Sequence, residues 1–262
     1  MRAQTIADRL EVIVVDNGSS DDWKDATTAI YPNGKTLEVG HNSGFASACN
    51  RAAKEASGSL LLLVNPDCVL GPDVVEMLAN EVDLHEKAGL VTARLVNPDG
   101  SFQANCRVFP TPSNVFFARG SFAARIPGLN RVSRAVYTLG DLPEVTEVPA
   151  VSATVAMIRA DRFAEMRGFD ERFFMYMEDT DLCYRLHLAG YENLYVPHAI
   201  AVHKWGKGGQ SSHGRRVWRQ HRSVWQYFLK HHPNGFTLLV MPVMLLINLL
   251  GSLVFGVRKQ GS

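Results

Sequence analysis

Cysteine is scarce and unpatterned in this chain of 262 residues: Cys49, Cys68, Cys106 and Cys183 share no CxxC spacing. That excludes a disulfide frame and a cysteine-built zinc site, and it suits reduced residues in a cytosolic setting. Glycine (21) and proline (12) are too few for a collagen-like or low-complexity chain. A hydrophobic share of 46% excludes wholesale disorder and, at this length, allows a sizeable core. The opening residues, MRAQTIADRL, lack the apolar stretch of a secretory signal, so export is not expected. Internal repeats and a clear linker are also missing.

The most informative absence is of acid. No Asp or Glu follows Glu192, while nine basic residues do: Lys204, Lys207, Arg215, Arg216, Arg219, Arg222, Lys230, Arg258 and Lys259. Up to residue 192 there remain eighteen basic against twenty-six acidic residues, so a body of net charge −8 carries a tail of +9. Such a tail suits an anionic partner: phospholipid, a diphosphate or nucleic acid. No nucleic-acid motif accompanies it, so nucleic acid is not expected. Charge of either sign is missing from residues 236–257, FTLLVMPVMLLINLLGSLVFGV, a run of 22. A helix needs about 20 apolar residues to span a bilayer. Pro242, Asn248 and Gly251 interrupt the run, which leaves a full span and a kinked, monotopic insertion both open. The division expected is a body over 1–212, a basic aromatic helix over 213–235 and an apolar membrane-associating segment over 236–262.

Short apolar runs alternate with helical patterns through the body. EVIVV (11–15), TLEVG (36–40), LLLLV (60–64) and GLVTARLV (89–96) read as strands, and 44–57 and 72–85 as helices. This is the pattern of a doubly wound, mostly parallel α/β sheet, with LLLLV, apolar on both faces, as a central parallel strand. Such sheets bind ligands at the carboxyl ends of their strands.

Those ends carry the candidate chemistry. Asn65-Pro66-Asp67 follows LLLLV; a carboxylate there, with a ligand diphosphate, is how Mg²⁺ or Mn²⁺ is held, although by itself Asn-Pro-Asp also reads as a turn. A second copy, Asn97-Pro98-Asp99-Gly100, ends in a turn glycine and reads as a plain turn. Glu178-Asp179-Thr180-Asp181 opens a helix, with three carboxylates in four residues and Arg185 one turn beyond Asp181. Either it is a capped helix start with a surface salt bridge, or its aromatic flank GFDERFFMYM raises a carboxyl pKa as a general base requires. His203, after a late strand, suits either a divalent metal or a structural role, and the basic loop Lys207-Gly208-Gly209 beyond it suits a diphosphate. Asp16, after the first strand, suits either the N3–H of a pyrimidine base or the cap of the next helix.

In their order along the chain these motifs resemble the inverting family-2 glycosyltransferases of GT-A fold. The quoted segments are EVIVVDNGSSDD, HNSGFASACNRA, LLLVNPDCVL, VSATVAMIRADRFAEMRGFDERFFMYMEDTDLCYRLHLAGY and YVPHAIAVHKWGKGGQSS. The nearest subgroup is the bacterial rhamnosyltransferase-like set, which shares NPD, NPDGS and GFDExFFMYxEDxDL. The resemblance implies a nucleotide-sugar donor (dTDP- or UDP-linked, most simply dTDP-L-rhamnose) and a polyprenyl-diphosphate-linked or glycan acceptor. It implies a place on the cytoplasmic face of the bacterial inner membrane. Carried over to this sequence, Asp16, Asn17, Asn42, Gly44, Asn50 and Lys207 bind the nucleotide sugar. Asp67 and His203 hold Mg²⁺ or Mn²⁺. Asp179 is the catalytic base, with Glu178 and Asp181 shaping its field.

Two departures accompany the resemblance. The family pattern opens with a strand and a helix ahead of the segment at Arg2-Ala3-Gln4-Thr5, so a truncated first strand is expected. Ser152-Ala153-Thr154 stands where Ser-Gly-Ala is usual, and the added methyl is expected to narrow the acceptor site. A metal-dependent nucleotidyltransferase, or a non-catalytic relative that binds membrane or a partner enzyme, are the alternatives.

Overall fold

A computed structural model describes the chain except residues 2, 21–22, 32, 113, 115–137, 205–211 and 257–262. After a short 3-10 turn at Ala7–Arg9, the N-terminal half runs β1 (Ile13–Asp16), α1 (Trp23–Ile30), β2 (Lys35–Glu38), α2 (Phe45–Glu55), β3 (Leu60–Val64), β4 (Cys68–Leu70), α3 (Val74–Leu84) and β5 (Ala88–Val96). Short strands follow: β6 (Phe102–Gln103), β7 (Cys106–Arg107), β8 (Thr146–Glu147) and β9 (Ala150–Val151). Then come β10 (Val155–Arg159), α4 (Ala160–Glu165), α5 (Glu178–Leu188), β11 (Glu192–His203), α6 (His213–His231), α7 (Gly235–Leu239) and α8 (Met241–Gly256).

The main sheet has the order β3-β10-β5-β11-β4, with β6 beside β5 and β8 beside β11, while β1 and β2 form a separate ribbon. Helices cover both faces, as the alternating pattern implies, but the sheet is mixed and not mostly parallel. Within it only β5 and β11 pair parallel; β3–β10, β10–β5, β11–β4, β11–β8 and β5–β6 pair antiparallel. LLLLV is likewise not central. It ends the main sheet and pairs antiparallel with β10. The cause is non-local: β10 returns after a long excursion and inserts between β3 and β5, so its apolar run VAMIR supplies the neighbour that a parallel strand was expected to give.

Side chains alternate across these strands and build two cores. Leu90, Ala156, Ile158 and Tyr195 pack with Phe163, Phe169, Leu182 and Leu186 on the face carrying α4 and α5. Val91, Ala93, Val155, Met157, Leu194 and Val196 meet Val74, Leu78 and Val82 of α3 on the other. The polar interruptions of β5 are satisfied inside the sheet: Thr92 Oγ1 donates to the Val155 carbonyl at 2.8 Å and accepts from Asn105 Nδ2 at 3.1 Å.

A third core fastens the basic helix to the body. Val224, Tyr227 and Phe228 of α6 bury against Phe173, Met177, Met241 and Leu245. Each fully buried aromatic of this kind contributes roughly 1.5–3 kcal/mol relative to exposure. The apolar run divides into α7 and α8, with the Asn234 side chain capping α7 by accepting from Thr237 N–H at 3.0 Å. Among the described residues no helix is long and apolar enough to cross a membrane. Met241, Leu245, Asn248, Leu249 and Ser252 of α8 are buried, whereas Val243, Leu246, Ile247 and Leu250 are exposed.

Candidate active site

The loop between β2 and α2 is built by the turn that follows β1. Asn17 Oδ1 accepts Ser43 N–H at 2.8 Å and Ser43 Oγ–H at 2.9 Å, and Asn17 Nδ2 donates to the Gly44 carbonyl at 3.0 Å. Asn42 Oδ1 accepts the Gly44 N–H at 3.1 Å. Gly44 has φ +90°, and a Cβ there would collide with the Phe174 carbonyl oxygen, so only glycine lets this loop close against the segment before α5. Asp16 Oδ1 accepts Ser19 N–H at 2.8 Å. Hydrogen bonds from the Ser19 side chain and from the backbone of Ser19 and Gly18 hold the Asp16 carboxyl below its usual range against the opposing effect of burial. Asp16 therefore braces the turn at Gly18–Ser19, ahead of α1 at Trp23–Ile30.

Asn50 has a different job from the one expected. Its Nδ2 donates to the Phe169 carbonyl (2.9 Å) and Glu171 Oε1 (3.0 Å), and its Oδ1 accepts Phe169 N–H (2.9 Å). It brackets α2 to the 169–171 loop. Lys207, with Gly208 and Gly209, lies outside the described residues.

Asp67 and His203 are brought together. β4 and β11 pair antiparallel with His203 opposite Cys68, and His203 Nε2 lies 3.3 Å from Asp67 Oδ1. His203 Nδ1 lies 2.6 Å from Gln103 Oε1. Gln103 Nε2 donates to Asn97 Oδ1 (3.0 Å), Asn97 Nδ2 to Ser101 Oγ (2.9 Å), and Ser101 Oγ–H to Asp99 Oδ1 (2.6 Å). This relay assigns the imidazole proton to Nδ1, because Gln103 Oε1 only accepts. His203 Nε2 then faces the Asp67 carboxylate, a contact that a proton or a cation must bridge. The donor set therefore fits a divalent cation. Asn97-Pro98-Asp99-Gly100 is a turn, as read, but one that orients the metal-facing histidine. Burial, and then the Asp67 charge, push the nearby Cys68 thiol up to about 12.

The acidic start of α5 is buried, not a surface salt bridge. Glu178, Asp179 and Asp181 are 7%, 8% and 0% exposed. They follow Tyr176 and Met177, both at φ 71°, a left-handed pair of bulky residues that the surrounding packing must hold. Burial, and then the charge of Asp179, push Glu178 up to about 8; among the described residues its Oε2 has no hydrogen-bond partner. Asp179 Oδ1 accepts Thr180 N–H at 2.7 Å, and its Oδ2 accepts from Arg107 Nη2 at 2.6 Å. A carboxylate whose rotamer is fixed by a cation is the arrangement of an oriented base.

Asp181 faces away from that pair. Its carboxylate takes Arg185 Nε at 2.9 Å, Lys230 Nζ at 2.6 Å and His231 Nε2 at 2.7 Å. Burial alone would raise its pKa; His231, Arg185 and Lys230 outweigh that and hold it below the usual range. Lys230 also meets Asp170 at 2.7 Å. Asp181 thus anchors α6 and shapes the base's field only through position.

Ser152, Ala153 and Thr154 link the two acidic stations. Thr154 carbonyl accepts Asn65 N–H at 2.9 Å on the metal side, while β9, just before, packs its Val151 N–H on Cys183 Sγ of α5 at 3.5 Å. Ala153 is buried in the α5-side core with Leu182, so its methyl fills the interior and does not narrow an acceptor opening. Arg107, Gln103, Lys230 and His231 escaped the sequence reading. Three acids in four residues, facing a tail with nine cations and no acid, did signal that α5 needed partners; which cations answer is a tertiary fact.

A sheet of this order with helices on both faces, a strand-end carboxylate facing a histidine, and an oriented carboxylate at a helix start make a GT-A-type transferase. The chain matches Glycosyl transferase family 2 over residues 1–161 and belongs to that family: it is a glycosyltransferase, and the nucleotidyltransferase alternative falls. Over 236 residues it is 28% identical to the N-acetylglucosaminyl-diphospho-decaprenol L-rhamnosyltransferase of Mycobacterium tuberculosis (strain ATCC 25618 / H37Rv), covering 85% of this chain and 76% of that one. It is 29% identical to rhamnosyltransferase WbbL of Escherichia coli (strain K12) over 178 residues, 66% of this chain and 63% of that one. Mannosyltransferase PcManGT from Pyrobaculum calidifontis, solved with GDP-Man and Mn²⁺, superposes with a TM-score of 0.58 at 18% identity, over 100% of this chain and 70% of that one. That last likeness speaks to the fold alone.

Proposed function

We propose that this chain is an inverting rhamnosyltransferase of the cell envelope, moving L-rhamnose from dTDP-rhamnose to a polyprenyl-diphosphate-linked acceptor at the cytoplasmic face of the bacterial inner membrane. The observation that carries the reading is the pairing of two unlike acidic stations across Ser152–Thr154. At one, Asp67 faces Nε2 of His203; at the other, Asp179 is held by Arg107. The names of the mycobacterial and Escherichia coli relatives support the sugar and the lipid.

Asp67 and His203 would hold Mg²⁺ or Mn²⁺, which when bound neutralises the donor diphosphate as it departs. Asp16 turns its remaining carboxylate oxygen to the thymine or uracil N3–H, and Asn17, Asn42 and Gly44 keep the loop that flanks the nucleoside. Asp179 takes the proton of the acceptor hydroxyl as that oxygen attacks the anomeric carbon from the face opposite the leaving group, so one displacement inverts the centre. Arg107 keeps its carboxylate in one rotamer. Glu178, protonated near neutral pH, adds no second negative charge beside it. The exposed apolar residues of α7 and α8, next to exposed Arg215, Arg216 and Arg222 of α6, suit an anionic lipid surface where such an acceptor resides.

The test is transfer from dTDP-rhamnose to N-acetylglucosaminyl-diphospho-polyprenol in anionic vesicles, read by mass spectrometry. One added deoxyhexose is expected, and Asp179→Asn should cost about 10²–10⁴-fold in turnover with donor binding kept. No transfer from dTDP- or UDP-sugars in the presence of Mg²⁺ or Mn²⁺ would favour the non-catalytic reading.

A further inference from the structure

Cys68 shares a sheet face with His203, because the two are directly opposed in the antiparallel β4–β11 pair. The Lys204 N–H donates to the Asp67 carbonyl at 3.0 Å, which carries the ladder one step further and draws the turn in beside them. One ligand atom from each of Asp67, Cys68 and His203 lies within 4.8 Å of the other two. The site is shielded: the His203 and Asp67 side chains are 7% and 15% exposed. The thiol is not committed elsewhere by a strong bond, since its contact is a long one, 3.9 Å to the Thr154 carbonyl. A cation that settles between His203 Nε2 and Asp67 Oδ1 therefore finds sulfur within reach.

We propose that Cys68 is a third protein ligand of this site, binding as the thiolate, and that the free protein accordingly takes Co²⁺ or Zn²⁺ well ahead of Mg²⁺. This rests on the reading of Asp67 and His203 as metal holders and adds what that reading does not contain, a sulfur donor and a metal preference. On binding, the S–H bond breaks, an S–metal bond forms and the proton passes to solvent. Magnesium is a hard ion that keeps oxygen ligands and its waters, so it gains little from sulfur. Zinc and cobalt accept a mixed nitrogen, oxygen and sulfur set, and three protein ligands leave a position open for an oxygen of the donor. Mg²⁺ then enters together with the diphosphate, while Zn²⁺ occupies the site beforehand and competes with it.

Co²⁺ reports the ligand directly. The full chain, without nucleotide sugar, is titrated with Co²⁺ while its near-ultraviolet and visible absorption are followed. A sulfur-to-cobalt charge-transfer band saturating at one equivalent is expected. Cys68→Ser, shown folded by circular dichroism, should keep visible-region Co²⁺ bands, lose the charge-transfer band, and bind Zn²⁺ more weakly by at least the roughly 10-fold that even an outer partner of a ligand costs. Visible bands without charge transfer in the parent protein, or a charge-transfer band that survives Cys68→Ser, would overturn the sulfur ligand and leave Asp67 and His203 as metal holders. No Co²⁺ uptake at all would overturn both.

Discussion

The two acidic stations of this protein are opposites in electrostatic terms. At the end of β3, Asp67 meets His203 Nε2 at 3.3 Å, a contact that a proton or a cation must bridge. At the start of α5, Asp181 has no exposure and three cationic or protonated partners within 3 Å, so its environment is complete. The first arrangement is one that a cation can complete. The second holds the fold and has nothing left to offer a substrate. Carboxylates of the same type therefore part into binding and anchoring roles by what faces them.

Substitution should separate the two. Asp67→Asn should lower transfer by about 10³-fold or more, since it removes the charge that holds the cation. The same change should leave the stability of metal-free protein within about 1 kcal/mol of the parent, because the new amide can still pair with His203 Nε2; a paired rate assay and thermal melt check both. Asp181→Asn should act on stability instead. It removes the carboxylate charge on which Arg185, Lys230 and His231 converge in a buried site and costs roughly 3–5 kcal/mol, visible as a lower urea midpoint. Equal stability losses in the two variants would break the contrast.

Smaller effects sharpen it. Gln103→Leu cuts the relay that orients His203 and should weaken metal binding by about 10–100-fold, measured by calorimetry, with little change in folding. Glu178 titrates near 8 in the fold against an ordinary 4.5. Between those values the unfolded chain has released a proton that the folded chain keeps, so stability falls as pH rises through that window. Glu178→Gln removes the slope, and its unfolding free energies at pH 5 and pH 8 should differ by roughly 1–3 kcal/mol less than the parent's.

Much of this was legible in the residues. The helices at 45–55, 74–84 and 178–188, the turn at Asp67 and the pairing of Asp67 with His203 follow from local pattern and motif order. What escaped was pairing at a distance. Nothing in LLLLV says that β10 will return beside it, because an apolar run is equally content with a parallel or an antiparallel neighbour. The two Asn-Pro-Asp turns make the same point. Asp99 sits in a plain turn by every local sign, yet it begins the chain of hydrogen bonds that ends on His203. Asn50 reads as a nucleotide contact by its place in a motif, and only the fold reveals it clasping Phe169.

Lys230 joins Asp170 to Asp181, residues on either side of the loop that delivers Asp179, and Ser223 of the same helix donates to the Met175 carbonyl at 2.9 Å within that loop. The Arg219 guanidinium rests 4.1 Å from the centre of the Phe174 ring. Helix α6 is thus the buckle on the strap that carries the base. A shortened protein ending near residue 212, the natural choice for removing the greasy end before purification, would unfasten that strap and leave Asp181 with Arg185 alone. Solubility would have to come from replacing the outward-facing Val243, Leu246, Ile247 and Leu250 one by one, with the helices left in place.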